Sequence, residues 1–164
     1  ITEFDWWHQK TIHNLEITFT PTRHFSGRGL TDRAKSLWGG WVFKTPSETI
    51  YFSGDGGYGA HFKTIQERFG TFDLAFMECG QYNEHWHQIH MYPEESVQAA
   101  HDVYAKKIIP VHWAGFALAL HAWTEPVERF IKEAERQSIP FETPELGALF
   151  TKTSNASSYQ WWKS

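Results

Sequence analysis

Along residues 14–20 (NLEITFT), Leu15, Ile17 and Phe19 alternate with Glu16, Thr18 and Thr20. A period of two gives a strand one apolar and one polar face. Pro21 ends the run. Residues 37–44 and 49–53 are rich in aromatic and β-branched side chains, and Thr45-Pro46-Ser47-Glu48 between them has turn chemistry, so the pair predicts a hairpin. The glycine-rich stretch 54–59 (GDGGYG) predicts a loop. The period then changes: Phe62, Ile65 and Phe69 recur at three and four, which predicts a helix over 62–69 stopped by Gly70. The apolar run 72–77 (FDLAFM) predicts a buried strand. Residues 93–104 open with Pro93, Glu94 and Glu95, which suit the first turn of a helix. Residues 107–111 (KIIPV) predict a strand parallel to the previous one, because a helix lies between them. Residues 125–137 set Val127, Phe130, Ile131 and Ala134 on one helical face, and 146–151 are expected to close the sheet. A hairpin leading into β-α-β-α-β units is a mixed α/β arrangement. Without repeats or internal linkers, residues 1–152 read as one unit and 153–164 as a polar and aromatic tail.

Composition narrows the function classes. A chain of 164 residues has room for a real core, and 41% hydrophobic with 21% charged residues is an ordinary globular balance. The net charge of -4 argues against a general nucleic-acid partner, which would need a basic surface. No apolar run is long enough for a transmembrane segment. The one cysteine, Cys79, excludes an internal disulfide and reads as a buried structural thiol. Aromatics reach 17%, with nine Trp, and there are ten His. The chain starts at Ile1 without an initiator Met or a signal-peptide pattern, which predicts a piece of a longer protein.

Three ligand-type residues each follow a predicted strand: His24, Asp55 and His112. Loops at strand ends collect functional groups, and imidazoles with a carboxylate drawn from separate strands suit zinc. Taken singly, each has a plainer role, since Asp between glycines is a routine turn former and a lone His is usually a surface or core residue. The run His85-Trp86-His87-Gln88-Ile89-His90 has three positions of the His-x-His-x-Asp-His pattern of binuclear zinc hydrolases, but Ile89 stands at the Asp position. His85 and His87 therefore read as a solvated loop, whereas His90 directly precedes a helix start that would hold it. There is no esterase Gly-x-Ser-x-Gly, no phosphate-binding P-loop, no dinucleotide fingerprint and no Cys-x-x-Cys zinc pattern.

Six ordered segments carry a resemblance: Glu3-Phe4-Asp5-Trp6-Trp7, residues 20–29 (TPTRHFSGRG), Leu37-Trp38-Gly39-Gly40-Trp41, residues 52–58 (FSGDGGY), His90-Met91-Tyr92-Pro93-Glu94-Glu95 and residues 110–116 (PVHWAGF). In this order they resemble the second half of metallo-β-lactamase-fold hydrolases, and within that family the N-acyl-phosphatidylethanolamine-hydrolysing phospholipase D branch and its bacterial metal-dependent relatives. The resemblance runs from about residue 3 to residue 150. It implies the C-terminal half of an αββα sandwich, a mixed sheet with helices on one face. It also implies a site for two zinc ions, or other divalent metals, in which His24 ligates one metal, Asp55 bridges both and His112 ligates the second. A metal-bound hydroxide would attack a phosphodiester or other ester of a small or lipid-like substrate, with His90 contacting the substrate or supporting the site.

The family's His-x-His-x-Asp-His run belongs to the half that precedes this segment, so four of its seven ligands have no counterpart here. The chain is expected to need an N-terminal half as its partner, because half of a sandwich leaves an apolar sheet face open and prone to association, including homo-oligomers. The alternatives are a catalytically inactive assembly or dimerisation piece, and a Trp-rich ligand-binding module. A cytoplasmic location is expected, with peripheral membrane association as the other option.

Overall fold

A computed structural model describes residues 1–151 and 160–163. The expected 153–164 tail lies largely outside the described residues; of it, Trp161–Lys163 forms one 3-10 turn. Trp161 there stacks on Trp113, and Trp162 meets the same ring edge-on.

Among the described residues six strands form a single mixed sheet in chain order: β1 (Gln9–Ile12), β2 (Leu15–Pro21), β3 (Gly39–Lys44), β4 (Thr49–Phe52), β5 (Leu74–Glu78) and β6 (Ile108–Val111). The pairs from β1 to β4 are antiparallel, and β4, β5 and β6 are parallel. Helices α1 (His61–Phe69), α2 (Pro93–Asp102) and α3 (Glu125–Gln137) complete the fold. The predicted hairpin is present as β3 and β4, with Thr45 receiving the Glu48 amide on its hydroxyl oxygen at 3.1 Å to close the turn.

The strand alternation decides what each face does. Val42, Tyr51, Ala75, Met77 and Ile108 are buried and join Phe62 and Ile65 of α1, Val97 and Ala100 of α2, and Phe130 and Ala134 of α3 in one core. The other face is also apolar. The register places Phe19, Trp41, Phe52, Phe76 and Ile109 side by side in a row across five strands, with Ile17, Phe43, Ile50 and Leu74 in a second row. Most of these side chains are half-buried, and Phe52 is 37% exposed. Helices therefore cover one face, and an apolar face remains for a second layer.

Two expectations need correction. Residues 146–151 add no strand: Leu146 and Gly147 form a turn in which Gly147 has φ of 83°, and among the described residues beyond β6 only Phe141 makes a single parallel bridge, to Ile108. The 93–104 helix ends earlier, at Asp102, with Tyr104 in the left-handed region at φ of 57°. Because β2, β4, β5 and β6 all point the same way, the loops that follow them leave from one edge of the sheet. No helix among the described residues is long and apolar enough to cross a membrane.

Candidate metal centre

His24 follows β2, Asp55 follows β4 and His112 follows β6, and the common direction of these strands brings all three to that edge. Local packing sets their spacing. The Gly57 amide donates to the Arg23 carbonyl at 3.0 Å, tying the loop after β4 to the loop after β2. Gly57 also lets the 81–90 loop approach: a methyl there would sit 2.1 Å from the Gln88 carbonyl oxygen. On the other side of the site, His112 has φ of 66°.

Asp55 is the hub. Its Oδ2 lies 3.6 Å from His24 Nε2, while its Oδ1 lies 3.6 Å from His112 Nε2 and 3.0 Å from His90 Nδ1. The two carboxylate oxygens thus face different histidines. The His24 Nδ1 is 2.8 Å from the Phe25 carbonyl oxygen, which can only accept, so this nitrogen carries the proton. In the neutral ring the lone pair is then on Nε2, beside Asp55, the form in which imidazole binds a metal.

His90 is placed by a buried carboxylate that the sequence patterns did not single out. Glu78 ends β5, and its side chain is 1% exposed. Its Oε1 accepts from His90 Nδ1 and its Oε2 from the Met91 amide, both at 3.0 Å. Just beyond, the Tyr92 amide donates to Glu95 and caps α2, which fixes the 90–92 segment. The signal for Glu78 was an acid closing an otherwise apolar strand, a costly place for a charge without a partner. His85 and His87 are exposed, as the solvated-loop expectation has it. Cys79 is fully buried, and burial pushes its thiol up, which leaves it inert.

Electrostatics separates the two carboxylates. Burial acts to raise Asp55, but His90, with His112 and His24, outweighs it and holds this carboxyl below its ordinary value. Burial pushes Glu78 up to about 8 despite its bonds from His90 and Met91. Burial also acts against a charged His90, but Asp55 and Glu78 outweigh it and raise the ring to about 9. His112 moves the other way: burial lowers it against the pull of Asp55, and His90 and His24 add to the lowering. Asp55 stays anionic and His112 neutral near pH 7, while His90 holds a proton.

The donor set fits a divalent cation. Asp55 Oδ1 is buried and receives no well-aligned hydrogen bond, since the His90 proton is directed at Glu78. Two ligands at about 2.0–2.1 Å from a tetrahedral zinc stand about 3.4 Å apart. The 3.6 Å separations of Asp55 from His24 and from His112 match that spacing. Asp55, Glu78, His90 and His112 also present donor atoms within 4.8 Å of one another. Within that group His90 Nδ1 lies 3.0 Å from both Glu78 and Asp55, and His24, outside the group, stands 3.6 Å from Asp55.

Comparison with known proteins agrees with the fold. Residues 1–113 match the family described as Beta-lactamase superfamily domain. An uncharacterized protein of Mycobacterium tuberculosis is 40% identical over 166 residues, covering 99% of this chain and 44% of the relative. The mitochondrial N-acyl-phosphatidylethanolamine-hydrolyzing phospholipase D of Saccharomyces cerevisiae is 37% identical over 144 residues, covering 82% of this chain and 31% of that protein. Among solved structures, the metallo hydrolase Igni18 of Ignicoccus hospitalis superposes with a TM-score of 0.70 at 18% identity, over 90% of this chain and 58% of its own. The chain spans less than half the length of these two sequence relatives.

Proposed function

The chain belongs to the beta-lactamase superfamily, with its metallo-β-lactamase fold, and on that premise we propose that it is half of a zinc-dependent hydrolase of phosphodiester or other ester bonds. The observation that carries this reading is Asp55, whose two oxygens face His24 on one side and His112 on the other. That arrangement suits a carboxylate shared between two cations, with His24 and His112 as the end ligands. Divalent metals held there would polarise the ester or phosphoryl oxygen and make water acidic near neutral pH. The remaining ligands are assigned to an N-terminal half, whose sheet would cover the open apolar face.

The chain's own groups divide the other work. Asp55 supplies the negative charge that draws cations to the sheet edge. His112 offers a neutral nitrogen and His24 its Nε2, the Phe25 carbonyl keeping the Nδ1 proton of His24 away from the metal side. His90, held between Asp55 and Glu78, puts a positive ring beside the site, where it favours an anionic phosphodiester. Glu78 orients that ring and is too enclosed to meet substrate. The name of the yeast relative supports a lipid-like phosphodiester as the substrate class.

The test joins this chain to the N-terminal half of a full-length relative and follows hydrolysis of a chromogenic phosphodiester with added zinc. The expected result is turnover that chelator removes and that Asp55→Ala or His112→Ala abolishes. Turnover that survives both substitutions, or a zinc-loaded assembly with none, would overturn the reading and favour a non-catalytic assembly role.

A further inference from the structure

We infer that Trp38 is a positioning residue that locks His24 and Asp55 into a common geometry; the inference rests on the metal-site reading above. Trp38 lies immediately before β3, on neither of the strands that deliver the two residues, yet it touches both. Its indole stacks on the His24 ring with centroids 4.8 Å apart and planes 24° apart. Its Nε1 donates to the Asp55 backbone carbonyl at 2.9 Å.

Trp38 is itself anchored. The Trp6 Nε1 donates to its carbonyl oxygen at 2.8 Å. The next residue, Gly39, is pressed against β2 so closely that a methyl there would lie 2.3 Å from the Thr20 carbonyl oxygen and 2.5 Å from the Phe19 ring. The backbone that launches the indole therefore has no room to shift toward β2. Phe25 also stacks on His24, with centroids 5.0 Å apart, and Arg33 lies over Phe25 at 4.0 Å.

The consequence is specific. The Phe25 carbonyl takes the His24 Nδ1 proton and the Phe25 ring stacks on His24, but both belong to the adjacent residue and move with the same loop. The stacked indole comes from outside that loop and holds the ring against the start of β3. The same indole, through its N–H, holds the loop that carries Asp55, so beside the Gly57–Arg23 backbone bond it is a side chain that bridges the two loops across the 3.6 Å spacing of His24 Nε2 and Asp55 Oδ2. Groups that orient metal ligands are typically worth about 10–100-fold in metal affinity.

Three single substitutions in the 164-residue chain, and one double, separate the contributions. Trp38→Phe keeps a flat ring but loses the N–H; Trp38→Ala loses both contacts; His24→Ala removes the partner ring. Cobalt binding is followed by its visible absorption, and folding by circular dichroism. The expected affinity falls about tenfold for Trp38→Phe and about 100-fold for Trp38→Ala, with a broadened cobalt spectrum and unchanged helix content. In the His24→Ala background, Trp38→Ala should cost clearly less, because the ring it orients is gone. If Trp38→Ala fails to fold, Trp38→Phe alone decides. Folded variants within twofold of the wild type would overturn the inference, as would full additivity with His24→Ala.

A metal-free arm keeps this result separate from the metal reading. Nitrogen NMR of the wild-type chain should show His24 as a single form protonated at Nδ1, and Trp38→Ala should show a mixture of forms. If the wild type binds no cobalt, the metal reading fails, and the NMR result still decides whether Trp38 orients His24. The same single form in both proteins would overturn the inference.

Discussion

Replacing Gly80 by Ala should push His112 out of place. Gly80 lies two residues beyond the end of β5, and a methyl on it would sit 2.0 Å from the His112 carbonyl oxygen and 2.9 Å from its carbonyl carbon. Ordinary contact begins at 3.4 Å, so the His112 backbone must retreat by about 1.4 Å. Both partners are backbone, at a point where His112 already holds φ of 66°, so no side-chain rotation relieves the clash. Overpacking of this kind costs about 1–3 kcal/mol. In a domain of this size that lowers the melting temperature by a few degrees to about 10 °C. The effect on the site should be larger than the effect on the fold, because a displacement of about 1 Å is enough to spoil a metal or catalytic constellation. Thermal melts and cobalt titrations of Gly80→Ala measure the two effects together. Gly115→Ala is the control, since a methyl at Gly115 meets nothing within 4 Å although it lies only three residues beyond His112. A Gly80→Ala protein that melts with the wild type and binds cobalt within twofold of it would refute the reasoning.

Other consequences follow from single groups. Glu78→Gln keeps the size of the side chain but removes a charge that helps raise His90, so the His90 midpoint should drop from about 9 in an NMR titration; an unchanged midpoint contradicts the pairing. His61 should make stability depend on pH. Burial, with a smaller push from Arg23, lowers it to about 4 against an unfolded value near 6.5, so the fold takes up its proton less readily than the unfolded chain. Its contribution, up to about 3 kcal/mol, is complete above pH 6.5 and lost as pH falls toward 4, and His61→Phe should flatten urea midpoints across that window. On the open sheet face, Phe52→Ser combined with Phe76→Ser should weaken self-association at least about tenfold by sedimentation, while leaving the helix-covered core intact.

Much of this architecture is legible in the chain because burial leaves a pattern. β2, the β3–β4 hairpin, α1 and α3 are amphipathic and stand where their periods place them. β1 was not legible: Gln9–Ile12 is exposed at all four positions and is held by pairing to β2, from Gln9 opposite Thr18 to Ile12 opposite Leu15. Edge strands of this kind carry little hydrophobic signal. The stretch 146–151 misled in the opposite way, with Leu146, Leu149 and Phe150 near each other in sequence but Leu146 and Leu149 largely exposed. At the site, His24, Asp55 and His112 were legible as polar residues just past strands, and the shared strand direction explains why that position brings them together. Glu78 escaped because its role depends on contacts with His90 and Met91, 12 and 13 residues away, that only the folded chain creates. Trp38 sat inside a recognisable segment, but its two contacts also exist only in three dimensions.

We propose that His24, Asp55 and His112 form one cation-binding group. Anomalous diffraction at the zinc edge, on crystals of the chain grown with zinc, tests it most directly. A peak is expected beside Asp55 with His24 or His112 nitrogen at about 2.0–2.1 Å, absent in Asp55→Ala. Zinc found only at the exposed His85 and His87, or a peak that persists in Asp55→Ala, would contradict it.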